Sequence, residues 1–413
     1  MRDFALRRRD ESSYSLRIKG SSHIMQTKAA STLKSSSFQP FPFLDLRAQY
    51  RTIKAEIDEA MQRVMESQQF ILGPEVESFE REIAAYTRTQ FAIGCASGSD
   101  ALLLALMALE VGPGDEVVTT PFTFVATAGA IARLGGRPVF VDIDPRTYNL
   151  DPARLALAIS PKTKAVIPIH LFGMAADLDS IMETANARGV PVVEDAAQAI
   201  GASYGDRLVG STGLCGCFSF FPSKNLGGAG DGGMLTTGNG EFADRLRVLR
   251  NHGGHSKYEC ELIGMNSRLD ALQAAILRVK LRYLDEWTKG RQKNADRYSE
   301  LFKNRGLDRI LTLPSVQPGR NHIYNQYVIR APRRDELKEA LRGCGVPTEI
   351  YYPIPLHLQR AFAYLGHKPG AFPEAEAASR EVLALPIFPE MSVGQQDLVV
   401  DSIATFYGTE SPG

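Results

Sequence analysis

The chain has 413 residues and no net charge, because 47 Lys and Arg side chains balance 47 Asp and Glu. This length allows two or three domains with an ordinary core. The zero net charge argues against a nucleic-acid binder, which usually carries a basic excess. The sequence contains no run of about 18 apolar residues, so it predicts no membrane-spanning helix. The five cysteines include no CxxC pair, which favours a reducing, cytoplasmic location over a disulfide framework.

The first 42 residues differ in composition from the rest of the chain. They hold eight Lys and Arg against three acids, and they are rich in serine, as at 35–37. Arg and Ser are also typical of organelle transit peptides, but the early acids oppose that interpretation. We therefore expect a disordered basic tail over 1–42, or upstream sequence that precedes a true start at Met25.

From Phe43 onward, apolar residues recur at the spacings of helices and short strands. The spacing predicts helices over 46–67, 76–86, 101–109, about 125–134, about 177–187, 292–302, 335–342 and 395–406. Short apolar runs predict strands over 116–119, 137–141, 165–169, 190–193, 217–220, 233–237, 327–330 and 348–350. This alternation indicates an α/β fold with a mostly parallel sheet and helices on both faces. We assign 43–289 to a large domain and 290–413 to a smaller C-terminal α/β domain.

Two short motifs are suited to binding an anion and a cation. Small residues at 97–100 open a predicted helix, where free N–H groups and the helix dipole favour a phosphate. Asp195 follows an apolar strand and reaches the carboxyl end of the sheet, where open α/β sheets bind ligands. A protonated heterocyclic nitrogen would pair with a carboxylate buried there. In both motifs, the alternative is a side chain that only caps its own helix.

A third motif presents a single lysine. A strand rich in aromatic residues runs into a turn that carries Lys224, and five glycines follow within 227–233. A lysine held in an apolar turn loses its proton more easily and can act as an amine nucleophile. The alternative is a solvated lysine on a flexible glycine-rich loop, since most lysines are exposed.

Taken together, these sites occur in the order found in the large domain of fold-type-I pyridoxal 5′-phosphate enzymes. Over 43–406, six longer motifs resemble the DegT/StrS family of sugar aminotransferases. They are Phe-Leu-Asp-Leu at 43–46, Gly-Pro-Glu-Val at 73–76, Pro-Phe-Thr-Phe-Val-Ala-Thr at 121–127, Glu-Asp-Ala-Ala-Gln at 194–198, Ser-Phe-Phe-Pro-Ser-Lys-Asn at 219–225 and Gly-Met-Asn-Ser-Arg-Leu-Asp at 264–270. The family's usual Gly-Thr in the phosphate cradle is Gly98-Ser99 here, which keeps the hydroxyl.

The resemblance implies an aminotransferase that uses pyridoxal 5′-phosphate. The expected donor is an amino acid, L-glutamate above all, and the expected acceptor is the keto group of a dTDP- or UDP-linked sugar. Lys224 would hold the cofactor as a Schiff base and move protons, while Asp195 would keep the ring nitrogen protonated. Gln198, three residues after Asp195 and expected on the same helical face, would contact the ring or its hydroxyl. Phe124 would stack on the ring face.

The resemblance also implies a phosphate site shared between two subunits of a homodimer. Ser99, Asp100 and Ser219 would hold the phosphate from one chain. Asn266 would reach it from the neighbouring subunit, with Arg268 as the second choice for that role. Alternatively, Asn266 caps a helix that begins near Leu269.

Three further residues are weaker candidates for contacting the substrate. His170 ends a predicted strand and could face the substrate, although a histidine satisfied within the core fits the pattern equally well. Tyr352 and His357 lie in a segment that resembles one near the nucleotide end of the family's substrates. The alternative for that segment is a connection stiffened by its prolines. We expect no metal site, because Gly253-Gly254 between His252 and His255 indicates a loop.

Several other functions compete with this prediction. Scyllo-inosose is an alternative acceptor for the amino group. A sugar dehydratase on the same scaffold is disfavoured, because that branch replaces the anchoring lysine with His and Lys224 is present here. A non-catalytic regulator is also disfavoured, because no site residue is lost and the basic tail has no helix-turn-helix pattern.

Overall fold

A computed structural model describes residues 41–254 and 258–409. Its α-helices are α1 (Leu46–Ser67), α2 (Pro74–Thr87), α3 (Gly98–Ala108), α4 (Ala126–Arg133), α5 (Pro152–Ala158), α6 (Leu178–Asn186), α7 (Gly240–Arg250), α8 (Ala271–Leu281), α9 (Leu284–Asn304), α10 (Arg334–Gly343), α11 (Pro373–Glu381) and α12 (Val393–Tyr407). Its strands are β1 (Phe91–Cys95), β2 (Glu116–Thr119), β3 (Arg137–Phe140), β4 (Thr163–Val166), β5 (Val193–Asp195), β6 (Ser203–Tyr204), β7 (Arg207–Leu208), β8 (Cys215–Ser219), β9 (Gly233–Thr237), β10 (Tyr327–Arg330) and β11 (Val382–Leu385). None of the helices in these ranges is both long and apolar enough to cross a membrane. All but the last two residues of the predicted tail over 1–42 lie outside the described residues.

The main sheet has the strand order β3-β2-β4-β5-β8-β9-β1. Strands β3, β2 and β4 pair in parallel, as do β5 and β8. Two isolated parallel bridges, Val166 with Val192 and Ile169 with Asp195, join the two groups of strands. Only β9 is reversed, and it pairs antiparallel with both β8 and β1. The other six strands therefore point the same way, and their carboxyl ends meet at one edge of the sheet.

Two apolar layers cover the main sheet. One layer holds α1, α2 and α8, whose buried residues pack around Phe79, Phe218 and Leu277. The other holds α3, which is buried along most of its length, together with α7 and parts of β1 and β8. The antiparallel pair β10 and β11 packs in a separate cluster with α9, α10 and α12. The predicted boundary at 289/290 lies inside α9, and the division into two domains stays a prediction.

Several predicted elements differ from the observed ones. The strand expected over 190–193 is β5, which begins at Val193 and contains both Glu194 and Asp195. The strand expected over 348–350 is only a single bridge between Glu349 and Ala384. A helix near Leu269 was expected only in the alternative role of Asn266; α8 begins at Ala271, and its extent was not predicted because it is apolar around most of its circumference. Strand β1 was also missed; its Gly94 lets the backbone approach Leu269, and a Cβ there would lie 3.2 Å from the Leu269 Cβ.

Candidate active site

Lys224 lies on the turn that follows β8. Its backbone N–H donates to the Phe221 carbonyl at 2.8 Å, and the Gly228 N–H donates to the Phe220 carbonyl at 2.8 Å, so the turn is closed. Gly227 is required inside the turn, since a Cβ there would lie 2.3 Å from the Pro222 carbonyl oxygen. Burial lowers the pKa of Lys224 from 10.5 to about 8, although the charge of Asp195 acts in the opposite direction. This shift increases the fraction of neutral Lys224 amine near physiological pH, and the neutral amine is the form that acts as a nucleophile.

Asp195 is the last residue of β5, and only 5% of its surface is exposed. Its Oδ2 accepts a hydrogen bond of 2.7 Å from the hydroxyl of Thr127, and its Oδ1 accepts one of 3.2 Å from the Ala197 N–H. Burial raises the pKa of Asp195 above its usual value, against the opposing effect of the Thr127 hydrogen bond. A buried carboxylate with so few donors can accept a further cationic or N–H partner.

Helix α3 follows β1 in the chain, and its amino end lies against the carboxyl end of β8. The Ser97 hydroxyl caps this helix by accepting from the Asp100 N–H at 3.1 Å. No acceptor among the described residues takes the N–H groups of Gly98 and Ser99, the first two of the helix. Gly98 lies against Ser219, where a Cβ would come within 2.5 Å of the Ser219 Cβ. The close approach of Gly98 to Ser219 and the free N–H groups form a cradle suited to an anion.

The predicted phosphate ligands differ in how they are engaged. Ser99 is exposed on the first turn of α3. The Asp100 carboxylate instead accepts a hydrogen bond of 2.7 Å from Ser267, which also accepts from the Ala96 N–H. The hydroxyl of Ser219 accepts from the Phe221 N–H at 3.3 Å, at the start of the lysine turn. Ser99, Asp100 and Ser219 are therefore brought to one place, and their binding of phosphate stays a prediction.

Gln198 does not lie on a helix as expected, because residues 196–201 form turns. Its carbonyl oxygen accepts from the Phe172 N–H at 2.8 Å, and its amide donates to the Tyr352 hydroxyl at 3.0 Å. The Tyr352 ring lies between Phe122, with centroids 6.0 Å apart, and Phe124, at 6.4 Å. Phe124 is 56% exposed. Tertiary hydrogen bonds rather than a helix therefore orient Gln198, and its contact with the cofactor stays a prediction.

The two histidines predicted near the substrate are both buried and paired with glutamates. The ring of His170 is completely buried, with Nε2 at 2.9 Å from Glu194 and Nδ1 accepting from the Ala176 N–H at 3.0 Å. His357 lies 3.0 Å from Glu376 and packs against Phe372. This agrees with the alternative of a satisfied core histidine for His170, since both of its ring nitrogens have partners. Their contact with the substrate stays a prediction without geometric support.

Asn266 is exposed and lies opposite Asn251 in an antiparallel bridge, whose hydrogen bonds join its neighbours Met265 and Ser267 to His252 and Arg250. It does not cap a helix: α8 begins at Ala271, and Asp270 occupies its N-cap position. The alternative role of Asn266 as a cap was therefore wrong. Arg268 donates to the Asn251 side chain at 3.2 Å, and its Nε is buried without a partner. His255, considered for a metal site, lies outside the described residues.

Two residues that contact the candidate site were missed by the sequence analysis. Thr127 supplies the only side-chain donor to Asp195 among the described residues. Thr127 is the last residue of the motif at 121–127, and its hydroxyl in the first turn of α4 was the feature that could have indicated this contact. Asn225, next to Lys224, donates to the Ile323 carbonyl at 3.0 Å and ties the lysine turn to the segment before β10. Nothing local in the sequence marks this contact.

The chain is similar to known proteins over most of its length. The family of DegT/DnrJ/EryC1/StrS aminotransferases matches residues 51–404. The chain belongs to this family. A protein of Geobacillus stearothermophilus named a pleiotropic regulatory protein is 53% identical over 89% of this chain and 98% of its own. The UDP-N-acetyl-3-dehydro-alpha-D-glucosamine 3-aminotransferase of Acidithiobacillus ferrooxidans is 46% identical over 85% of this chain and 93% of its own.

Solved structures agree with this assignment. DesV from S. venezuelae, crystallised with a ketimine intermediate, has a TM-score of 0.86 and 43% identity over 89% of this chain and 99% of its own. NtdA from Bacillus subtilis, crystallised with the cofactor PMP, has a TM-score of 0.79 and 32% identity over 86% and 81% of the two chains. The predicted fold-type-I class and the prediction of an aminotransferase are thereby confirmed.

The observed side chains fit the cofactor that the resemblance implied. Gly98 has no side chain to fill the cradle beside Ser219, and the amino end of α3 complements a phosphate charge. Asp195 has the buried charge that a protonated ring nitrogen would neutralise. Lys224 is close enough to Asp195 for the carboxylate to act on its pKa. The three features lie at one sheet edge, as a ligand with a phosphate, an aldehyde and a ring nitrogen requires.

Proposed function

We propose that this chain binds pyridoxal 5′-phosphate through Lys224 and transfers an amino group from L-glutamate to a dTDP- or UDP-linked ketosugar. The observation that carries the proposal is the pairing of a lysine whose pKa burial lowers to about 8 with Asp195 at the same sheet edge. A surface lysine has no need of such an environment. The relative from Acidithiobacillus ferrooxidans, which is named for a UDP-linked sugar, supports the acceptor class.

In this proposal, each part of the cofactor has its own residues. The N–H groups of Gly98 and Ser99 and the hydroxyl of Ser219 bind the phosphate. The Asp195 carboxylate holds the proton on the ring nitrogen, and Thr127 orients that carboxylate through its 2.7 Å hydrogen bond. Phe124 covers one face of the ring, and Gln198 contacts its edge. Asp100, which is bonded to Ser267, stabilises the cradle.

When bound, the cofactor supplies an aldehyde that takes up amines and a ring that accepts electrons from the carbon losing a proton. The neutral amine of Lys224 provides the covalent attachment and is freed when an amino donor replaces it. Its Nζ then removes the proton from the donor's α-carbon and delivers a proton at the cofactor carbon. In the second half of the reaction, the same Nζ moves protons in the reverse direction. Asp195 keeps its charge throughout, which maintains the ring nitrogen in its protonated form.

The covalent role of Lys224 is tested by reduction with borohydride. The purified protein should absorb in the visible region, and reduction should bleach this band and fix the cofactor to a single peptide that contains Lys224. The Lys224→Ala variant should bind the cofactor without covalent attachment and fail to turn over. A label on any other lysine would exclude the assignment.

The acceptor is tested with a panel of ketosugar nucleotides, scyllo-inosose and L-glutamate as the donor. We expect turnover with one or more dTDP- or UDP-linked ketosugars and 2-oxoglutarate as the second product. Turnover with scyllo-inosose alone would replace the acceptor class. A protein that binds the cofactor but converts no donor would support a regulator, the role named for the Geobacillus relative. We place the reaction in the cytoplasm, since all five cysteines are free thiols.

We further propose a homodimer in which Asn266 completes the phosphate site of the neighbouring subunit. Its support is the exposed position of Asn266, whose side chain bonds to no other described residue. Mixing Lys224→Ala with Asn266→Ala under subunit exchange should restore activity, because one site of each mixed dimer then carries neither change. If exchange is demonstrated and activity does not return, Asn266 does not act across subunits.

A further inference from the structure

Glu194, next to Asp195 in β5, is a completely buried carboxylate to which the proposed mechanism gives no role. Four N–H groups donate to it. Its Oε1 accepts from the backbone N–H groups of Thr212 at 2.8 Å and Gly213 at 2.7 Å. Its Oε2 accepts from the Gly210 N–H at 2.7 Å and from His170 Nε2 at 2.9 Å. Burial alone would raise the pKa of Glu194, but these donors hold it below its usual value.

The second nitrogen of His170 fixes the direction of this hydrogen bond. Nδ1 accepts from the Ala176 N–H at 3.0 Å, so the ring carries its proton on Nε2 and donates to Glu194. The pair therefore shapes the loop 170–176. Within this loop, the N–H of Phe172, which has a φ of 59°, donates to the Gln198 carbonyl oxygen at 2.8 Å.

The other donors to Glu194 belong to the turn that leads into β8, the strand that ends at Ser219 just before the lysine turn. Strand β5 pairs in parallel with β8, with Asp195 opposite Cys217. Glu194 thus connects three segments: the loop that orients Gln198, the strand that ends at Asp195, and the turn preceding the strand that leads to Lys224. Because successive side chains of a strand point to opposite faces, Glu194 can bind these segments while Asp195 stays available.

We propose that Glu194 and His170 are a pair of positioning residues that hold Asp195 and Gln198 in their binding geometry without touching the cofactor. This inference rests on the proposed function, because Asp195 and Gln198 are given their roles there. It assigns His170 to the support of the site rather than to the substrate.

The hydrogen bonds to Glu194 predict the effect of replacing it with a neutral glutamine. In Glu194→Gln, one end of the amide keeps an acceptor for two donors. The other end places an NH₂ group against two N–H donors, whichever way the amide is turned. His170 cannot relieve this conflict by moving its proton to Nδ1, because Nδ1 then opposes the Ala176 N–H. The backbone of β5 must shift, and Asp195 shifts with it.

The first experiment compares Glu194→Gln with a matched control, Glu376→Gln. Glu376 is also a buried carboxylate that binds a histidine and backbone N–H groups, at 3.0 Å from His357 and 2.8 Å from the Gly370 N–H, but it belongs to α11. We expect the dissociation constant of pyridoxal 5′-phosphate to rise about tenfold or more in Glu194→Gln and to stay within about twofold in the control, although both variants lose thermal stability.

A spectroscopic signature separates positioning from general loss of stability. The pH midpoint of the visible band of the bound cofactor depends on how well Asp195 holds the ring proton. The band follows the proton on the imine nitrogen formed with Lys224, and a weaker contact with Asp195 removes positive charge from the ring and makes that nitrogen more basic. This midpoint should therefore rise by about half a unit or more in Glu194→Gln and not in Glu376→Gln. Equal effects in the two variants, or a wild-type midpoint and affinity in Glu194→Gln, would overturn the proposal.

Two substitutions of His170 keep the proposal testable if Glu194→Gln does not fold. His170→Gln keeps an N–H donor near the position of Nε2, whereas His170→Asn keeps only an acceptor near Nδ1. Cofactor affinity and the pH midpoint should be closer to wild type in His170→Gln, and the reverse order would contradict the donor role. Failure of the proposed function is recognised separately, because the wild-type protein itself would then take up no cofactor on Lys224. Failure of the positioning role would show only in the variants, with a wild-type protein that binds the cofactor.

Discussion

The burial of Lys224 predicts an unusually reactive amine, and this reactivity can be measured without substrate. Burial lowers the pKa of this amine from 10.5 to about 8. At pH 7, about one tenth of the molecules then carry a neutral amine, against roughly one in 3,000 for an unperturbed lysine. The cofactor-free protein should therefore offer on the order of 300 times more nucleophile at this position than at an ordinary surface lysine.

Competitive labelling measures this difference directly. Cofactor-free protein is treated with trace acetic anhydride between pH 6 and 11, and mass spectrometry quantifies the acetylation of each lysine-containing peptide. The labelling of Lys224 should reach half its maximum near pH 8. Lys54, exposed on α1, is an internal reference, because its hydrogen bond to Asp58 raises its pKa above 10.5. Pyridoxal 5′-phosphate should protect Lys224 and leave Lys54 reactive.

The variant Asp195→Asn tests the physical cause. The negative charge of Asp195 opposes the effect of burial, so its removal should lower the labelling midpoint of Lys224 further below 8. The direction follows from Coulomb's law, since a nearby carboxylate favours the protonated amine. A wild-type midpoint within half a unit of 10.5, or a rise in the Asn variant, would refute the reasoning.

Three further predictions concern the surroundings of the site. In Gly98→Ala, the new Cβ meets Ser219 at 2.5 Å, so we expect a loss of about 1–3 kcal/mol in unfolding free energy and weaker cofactor binding; unchanged affinity in a titration would count against the cradle. Thr127→Val removes the buried donor to Asp195 and should lower the free energy of unfolding, measured by urea denaturation, by about 1–3 kcal/mol, with Thr127→Ser retaining most of the stability. Asp142 accepts from the N–H groups of Glu374 and Ala375 at the start of α11, so Asp142→Ala should lose about 1–2 kcal/mol without moving the labelling midpoint of Lys224.

The positions of Asp195 and Lys224 could be predicted because they depend on the direction of the strands that precede them. Asp195 and Lys224 follow two strands that the sequence marks as short apolar runs. Once the sheet is parallel, their carboxyl ends must share an edge, whatever the order of strands between them. The reversal of β9 does not disturb this outcome, because β9 lies between β8 and β1 and carries neither residue. Chain order and strand polarity were therefore enough to bring these residues together.

Gln198 illustrates what local pattern could not show. The alanines beside it favour a helix, and a helix would have placed Gln198 on the face of Asp195. The observed turns are held by a donor from Phe172 and an acceptor on Tyr352, which are 26 and 154 residues away. Because distant partners satisfy both ends of the amide, they override the weak helix propensity of the segment. The identity of the residue was informative, but its conformation belonged to the tertiary structure.

The two consecutive carboxylates of β5 also show that tertiary contacts, rather than residue type, decide what a side chain does. Glu194 and Asp195 are both buried, yet the pKa of Glu194 is lowered and that of Asp195 is raised. The difference is the number of N–H donors, because four groups satisfy Glu194 while Asp195 has one backbone N–H and the Thr127 hydroxyl. A carboxylate whose oxygens are already satisfied stabilises the protein, whereas one that burial has left short of donors gains most from a cationic ligand. Residue type alone does not distinguish these two roles, and the donors that do distinguish them come from loops at 170 and 210–213.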